Sequence, residues 1–455
     1  MEQSWRLSFR DFGKIKSGSV EIAPLMLFVG DNNSGKSYVM TLLWGVLTEA
    51  RKLFPNDPPS SKVYKEVDQY LVHIMGKKTS ITNEEAQVFV DWFNDLLKQK
   101  KKELTNRVFQ RRLDIGYLAI TNFKRTKPLE IKFEEKRNGE MFRYSSGKHY
   151  IRIPYSERSQ NLASERYKIA KYVTWKLLMD QLSSPLYPTG DSTASNTRAI
   201  GEALYLPASR TGFMLTYKTL VQDMMEMAIH EKQDDPRLQF TLPVYRFLQG
   251  LLKLDESTKS KYEDIGEFIE REILKGEMKQ QNGVIPTFYY QPHEQERPMP
   301  LYLTSSLVTE LSPLILFLKS KTTYKSLFFE EAEAHLHPRV QRILAIALVK
   351  LVNRGIPVWL TTHSDILFQQ INNVMKLAKH PNRQELMDRY GYVEEDVLNS
   401  SHVRAYQFKR TEVKTIIEEL EVTDNGFPAE TFNQVIFDLN EETYDLQIGD
   451  DDEES

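Results

Sequence analysis

The stretch Leu25-Met26-Leu27-Phe28-Val29-Gly30-Asp31-Asn32-Asn33-Ser34-Gly35-Lys36-Ser37 decides the fold. Its first five residues are an unbroken apolar run, the pattern of a strand buried on both faces of a sheet. Gly30 to Gly35 breaks the run, and Val39, Met40, Leu42, Leu43, Val46 and Leu47 follow at helical spacing. Between strand and helix the sequence fits G-x-x-x-x-G-K-[ST]. The glycines let the backbone curl so that several N–H groups face one anion, and the helix N-terminus adds its dipole. Gly30, Asp31, Asn32, Asn33, Ser34, Gly35, Lys36 and Ser37 are therefore expected to cradle the phosphates of ATP. Lys36 would reach the β- and γ-phosphates, and the Ser37 hydroxyl would ligate Mg2+.

Outward from this loop, the pattern is that of an α/β protein. Trp5 to Phe9 alternates and reads as a strand, as does Val20-Glu21-Ile22. Pro58-Pro59-Ser60-Ser61 marks a boundary. Beyond it come two helical patterns, 84–112 and 156–184, with strands at Leu129–Phe133 and His149–Ile153 between them, and a loop at 186–199. From residue 201 strands and helices alternate, which predicts a parallel sheet. The expected strands are Ala203–Leu206, Phe288–Tyr290, Leu301–Leu303, Ser326–Glu330 and Pro357–Thr361, with helices over 306–320 and 338–353. Four regions follow: 1–60 as the first half of a nucleotide-binding head, 61–200 as a mainly helical insertion, 201–379 as the second half of the head, and 380–455 as an α/β extension. The end of that extension, 438–455, carries nine acidic residues and no basic ones and reads as a frayed, solvated tail.

Composition bounds the function classes. The 455 residues carry 60 basic and 63 acidic side chains and no cysteine. Disulfide scaffolds, thiolate zinc sites and cysteine nucleophiles are excluded. No run of roughly 18 apolar residues is present to span a bilayer, and the first residues lack a signal-peptide core. A cytoplasmic globular protein with no membrane partner is expected.

A second group of residues completes the chemistry. Phe328-Phe329-Glu330-Glu331 is an apolar strand ending in two carboxylates. In such an element the first acid, Glu330, holds Mg2+ and the second, Glu331, acts as general base toward water. Glu331-Ala332-Glu333-Ala334-His335-Leu336-His337-Pro338 resembles the D-E-P-E-A-H-L-H-P run of ABC-type ATPases of the SMC, RecF and OLD kind. Thr361-Thr362-His363-Ser364, after the next strand, resembles their switch-histidine motif. Leu303 to Leu311 sits where that family opens a helix with its signature sequence, with Leu307 in the place of the usual glycine. The resemblance implies an ABC-type P-loop NTPase head: a mostly parallel sheet, an antiparallel N-terminal β part and a helical insertion. It assigns His363 to the γ-phosphate or the attacking water, alongside Lys36 and Glu331 as catalytic residues. It assigns Ser305 and Ser306 to the nucleotide of a second protomer, and Leu336-His337-Pro338 to a dimer contact rather than to zinc. Tyr205 to Gly212 is similar to a segment of bacterial ATPases with this head, where Arg210 would touch phosphate, bridge protomers or form an ordinary salt bridge.

The resemblance covers about 1–50 and 200–440. No TOPRIM nuclease pattern accompanies the head: after His363 the one D-x-D is Asp450-Asp451-Asp452, in the acidic tail. Gly426-Phe427-Pro428 with Phe432 and Val435-Ile436-Phe437 resembles the C-terminal end of ATPase subunits of antiviral systems such as PARIS and Septu. That implies a homodimer or larger homo-oligomer that hydrolyses ATP, controls a separately encoded effector nuclease and senses a phage trigger. Two alternatives stand beside it: a RecF- or SMC-like DNA-repair ATPase, and a nucleotide-dependent scaffold without hydrolysis. Residues 95–127, with ten basic side chains against three acidic ones and Phe109, Tyr117 and Phe123 interleaved, are the candidate nucleic-acid surface.

Overall fold

The computed structural model describes residues 1–135, 145–146, 149–155, 162–183, 186, 203–229, 240–254, 260–321, 324–412, 414–423, 426–428 and 430–447. Nine strands form the main sheet: β1 (Gln3–Phe12), β2 (Ile15–Glu21), β3 (Leu25–Gly30), β4 (Ile115–Arg125), β5 (Leu204–Leu206), β6 (Leu327–Phe329), β7 (Val358–Thr361), β8 (Val403–Arg410) and β9 (Thr415–Leu420). Their order is β4-β1-β2-β9-β8-β3-β7-β6-β5. The five strands from β8 to β5 are mutually parallel, and β4, β1 and β2 form an antiparallel meander at the other edge. This is the expected α/β architecture, a mostly parallel sheet with an antiparallel N-terminal part.

The sheet separates two apolar cores. Met26 and Phe28 of β3 face one core with Phe328, Trp359 and Tyr406. Leu25, Leu27 and Val29 face the other with Phe329, Leu360 and Ala405. The period-2 split explains why the β3 sequence is apolar throughout: both of its faces are covered. Helix α1 (Lys36–Thr48) lies on the first side, where Trp44 donates from its indole N–H to the Ala203 carbonyl at 3.0 Å.

The described residues between 64 and 182 share an apolar core with the head. Helix α2 (Asn83–Phe109) starts on a capping box, in which Thr82 and Glu85 satisfy each other's backbone N–H groups. It packs with helix α3 (Leu162–Met179) in the same core as α1. The sequence reading missed β4, which lies inside the basic run and pairs with β1 along most of its length. The expected strand Leu301–Leu303 is instead a 3-10 turn. Residues 430–447 form a helix, so 438–447 are helical rather than frayed, although 438–446 are exposed as a solvated end should be. Asp450-Asp451-Asp452 and most of the 186–199 loop lie outside the described residues. Among the described residues no helix is long and apolar enough to cross a membrane.

Candidate functional site

The site is built where four neighbouring parallel strands end, the position at which open α/β sheets bind ligands. Strand β3 runs into the phosphate loop. Asn33 and Gly35 both adopt left-handed backbone (φ 59° and 100°), which bends the loop into a concave run before α1 begins. Gly30 has φ 124°, and a Cβ there would stand 2.4 Å from the Phe408 carbonyl oxygen of β8. Only glycine allows β8 to run that close.

Lys36 folds back over the loop. Its ammonium donates to the carbonyls of Gly30 (2.9 Å) and Asp31 (2.7 Å) and to the Ser34 hydroxyl (3.4 Å). Burial pushes its pKa down to about 8, against the opposing pull of Glu331, Asp31 and Glu333. Asp31, Asn32, Asn33 and Ser37 are exposed, while Ser34 is buried.

Strand β6 delivers the acids. Glu330 is buried; its carboxylate accepts from the Ala208 N–H at 3.2 Å and is hydrogen-bonded by Tyr205 and Ser37. Burial raises its pKa, and those hydrogen bonds partly offset the effect. The Ser37 hydroxyl and the Glu330 carboxylate therefore already meet. Hard oxygen donors at the end of a phosphate loop suit Mg2+, so these two residues fit the metal expected from the sequence. Glu331 sits at φ 43°, and its N–H donates to Thr361 Oγ1 at 2.8 Å, which turns the chain sharply just after β6.

Strand β7, lying between β3 and β6, delivers His363. Thr362 N–H donates to the Phe28 carbonyl at 3.0 Å, stitching this end to β3. The His363 N–H donates to Glu333 Oε1, and Glu333 Oε2 is buried without a hydrogen-bond partner. Burial and the nearby Lys36 lower the His363 pKa, while Glu333, Glu331 and Asp31 pull it back up. The structure thus brings Lys36, Asp31, Glu331 and His363 into one electrostatic cluster and adds Glu333. Sequence reasoning gave Glu333 no role, although it stands in the quoted acidic run.

Arg210 is not a phosphate or inter-protomer contact; of the three readings the structure selects the internal ion pair. It is fully buried and stacks over the Phe329 ring at 4.5 Å. Its guanidinium pairs with the Glu310 carboxylate and donates to the carbonyls of Glu330 (2.7 Å), Glu331 (3.0 Å), Pro207 (3.2 Å) and Glu310 (3.3 Å). It therefore ties the two acids to helix α4 (Ser306–Lys319). Ser305 caps that helix by position, yet its hydroxyl makes no cap hydrogen bond; Ser305 and Ser306 are both exposed. Leu307, where the resembled family has glycine, packs partly against the core below α4. Tyr302 and Leu303, just before it, are 73% and 64% exposed, an unusual apolar pair beside a polar helix end. His337 accepts from the Arg339 N–H at 3.3 Å as the cap of the helix starting at Pro338, while His335 is exposed.

The basic run does not form a stacking surface. Phe123 and Arg125 are buried, and Phe109 packs against Phe12 (5.7 Å) and Tyr38 (5.5 Å). Tyr117 is exposed but lies under Arg10 at 4.8 Å. Lys100 and Arg107 flank Glu103 at 3.7 and 3.3 Å, and Lys102 meets Asp114 at 3.3 Å.

Three solved structures resemble the chain in outline. They are an Smc head bound to the C-winged helix domain of ScpA (12% identity, 92% of this chain and 97% of that one, TM-score 0.37); the SMC head domain from Thermotoga maritima (10%, 92% and 99%, 0.33); and an Smc head domain with an extended coiled coil bound to the C-terminal domain of ScpA derived from Pyrococcus furiosus (9%, 96% and 100%, 0.35). No curated protein matches the sequence. Residues 6–368, which run from β1 past His363 and so contain the whole cluster, match the AAA ATPase domain family. The chain belongs to the AAA ATPase domain family.

Proposed function

We propose that the protein is an ABC-type ATPase that closes around ATP in pairs, hydrolyses it, and thereby controls a separately encoded effector in antiviral defence. The observation that carries the hydrolytic part is the convergence of Lys36, Glu331 and His363 from three adjacent strand ends. The ATP phosphates would displace the Gly30 and Asp31 carbonyls from the Lys36 ammonium. Glu331, held by Thr361 and by Arg210 through its own carbonyl, accepts a proton from the attacking water. His363, fixed by Glu333, faces the same phosphate. Ser37 and Glu330 would hold Mg2+, which neutralises phosphate charge when bound. The free Ser305 hydroxyl and the exposed Tyr302–Leu303 pair support a second copy as the closing surface.

An output path runs away from His363. Helix α5 (Asp365–Lys379) follows it, and Asn372 on that helix bonds Phe427 twice, at 3.0 Å to its N–H and 3.1 Å to its carbonyl. The acidic helix Glu430–Gln447 begins just beyond. That continuity, together with the resemblance to antiviral ATPase subunits, supports an effector or phage trigger as the partner of the C-terminal end.

Glu331→Gln tests the chemistry. It should lower ATP turnover by about 100-fold or more and accumulate an ATP-bound dimer on a sizing column. Native-like turnover in the variant would refute the role of Glu331, and no turnover in the native protein would leave the scaffold reading. Co-purification with the product of the adjacent gene tests the effector. DNA binding that falls steeply with salt, without such a partner, would favour the repair reading.

A further inference from the structure

A cavity of about 440 Å3 opens at the far end of β3 from the phosphate loop. It is bounded by Gln3 of β1, Ile22–Pro24 ahead of β3, Lys124 and Arg125 of β4, and His402 and Arg404 at β8. The six residues of β3 rise roughly 3.3 Å each, so it lies about 20 Å from the P-loop.

Two of its buried side chains are unsatisfied. Arg125 is 7% exposed, and neither terminal nitrogen of its guanidinium has a hydrogen-bond partner; only its Nε reaches a carbonyl, that of Lys127, at 3.4 Å. Gln3 is 2% exposed, and both its amide nitrogen and its amide oxygen are unpartnered. A buried guanidinium whose terminal nitrogens lack acceptors is costly for a fold to hold. The acids at this cavity are already engaged. Glu21 is bound by Arg6 at 3.0 Å and faces Arg404 at 3.8 Å, and Glu2 bonds the Thr126 hydroxyl and faces His149 at 3.8 Å. Arg125 is drawn to Asp180 and Glu2 without a hydrogen bond to either, and the exposed Lys124 stands beside it.

We propose that this cavity binds a small oxyanion, a phosphate- or carboxylate-bearing molecule, whose anionic head is taken by Arg125 and whose neighbouring polar group is taken by Gln3. The planar guanidinium fork matches such a head through two parallel hydrogen bonds. The unpartnered amide of Gln3 supplies two N–H donors and an acceptor oxygen, which suits a hydroxyl or amide next to that head. The volume falls within the range of about 300–1,000 Å3 usual for small-molecule sites, whereas a single ordered water needs only about 30 Å3. Residue Asn83 stiffens the wall by bonding both backbone groups of Arg125, at 2.8 and 3.2 Å.

The test is calorimetric titration of the full chain with inorganic phosphate, ribose 5-phosphate and citrate. The same titrations on Lys36→Ala separate this site from the P-loop. Binding of at least one probe should survive Lys36→Ala and weaken by about tenfold or more in Arg125→Gln and in Gln3→Leu. The phosphate probes and citrate distinguish the two kinds of head. Because Arg125→Gln removes two buried nitrogens that lack hydrogen-bond partners, its melting temperature without ligand should equal or exceed the native value. No binding of any probe up to roughly millimolar concentration, or equal binding in both cavity variants, overturns the site. So does binding of a single-stranded oligonucleotide that depends on Arg125 when no small anion binds.

Discussion

Arg210 gives the sharpest test of how the site is built, because an arginine reserved for a partner's phosphate and one clamping the fold differ in what their loss does. Replacing it with Met removes the counter-ion of Glu310 and the donors to four carbonyls, two of them on the acids Glu330 and Glu331. Breaking a buried ion pair on one side costs about 3–5 kcal/mol. Burial raises the Glu310 pKa against the opposing pull of Arg210, and loss of the guanidinium removes that opposition. A surface arginine of purely functional use would cost roughly 0–0.5 kcal/mol. Urea unfolding followed by tryptophan fluorescence separates the two, and the double variant Arg210→Met/Glu310→Met adds a second arm. An apolar pair of similar volume should restore most of the stability, yet turnover should stay low because the Glu330 and Glu331 carbonyls remain unanchored. A single variant that unfolds at the native urea midpoint would refute the clamp, and full activity in the double variant would refute its role in positioning the acids.

Three further outcomes follow from particular contacts. Lys36, with its pKa pushed down to about 8, is protonated below that pH and neutral above it; if ATP binds the protonated form, affinity should fall about fivefold from pH 8 to pH 9, with proton uptake on binding. A flat dissociation constant from pH 7 to 9.5, measured by calorimetry in two buffers, would contradict this. Gly30→Ala places a Cβ 2.4 Å from the Phe408 carbonyl at φ 124°, so strain of about 1–3 kcal/mol and loss of ATP binding are expected in thermal melts with and without nucleotide. Asn372→Ala leaves the Phe427 backbone unpaired at a local cost of about 1–3 kcal/mol; limited proteolysis should release the C-terminal helix faster, and an unchanged rate would show that the segment is anchored elsewhere.

The parts of this molecule legible in its sequence are those where one physical demand fixes a pattern. Strand β3 must be covered on both faces, so Leu25–Val29 is apolar throughout, and the phosphate loop needs its glycines at fixed offsets. Strand β4 was hidden because only every second or third residue faces the core; Lys124, Tyr117 and Asn122 are exposed, so the stretch reads as a charge run. Leu301–Leu303 looked like a strand because it is apolar, but Leu301 alone enters the core while Tyr302 and Leu303 stay outside. The place of Arg210 could not be read at all. A sequence shows that a guanidinium exists, not that Phe329 lies beneath it and four carbonyls around it. The role of Glu333 is not legible in the sequence, because its partner is the His363 backbone, thirty residues away.

The charges at the site make pairwise closure physically sensible. Three carboxylates, Asp31, Glu331 and Glu333, act on Lys36, so one ammonium against three acids leaves a local charge of −2. A triphosphate entering that field gains from Lys36, the loop N–H groups and the α1 N-terminus, but it also meets three like charges. Ser37 and Glu330 would hold Mg2+, whose charge would offset part of this repulsion. In the proposed pair, the positive end of a partner's α4 helix, headed by Ser305, would offset more. Within each protomer Arg210 joins α4 to the carbonyls of Glu330 and Glu331. The helix end proposed to meet a partner's nucleotide would thus be linked to the acid proposed to act on the protomer's own. Closure on one nucleotide would set the geometry of the other, and the two sites of a pair would fire in a coupled way rather than independently.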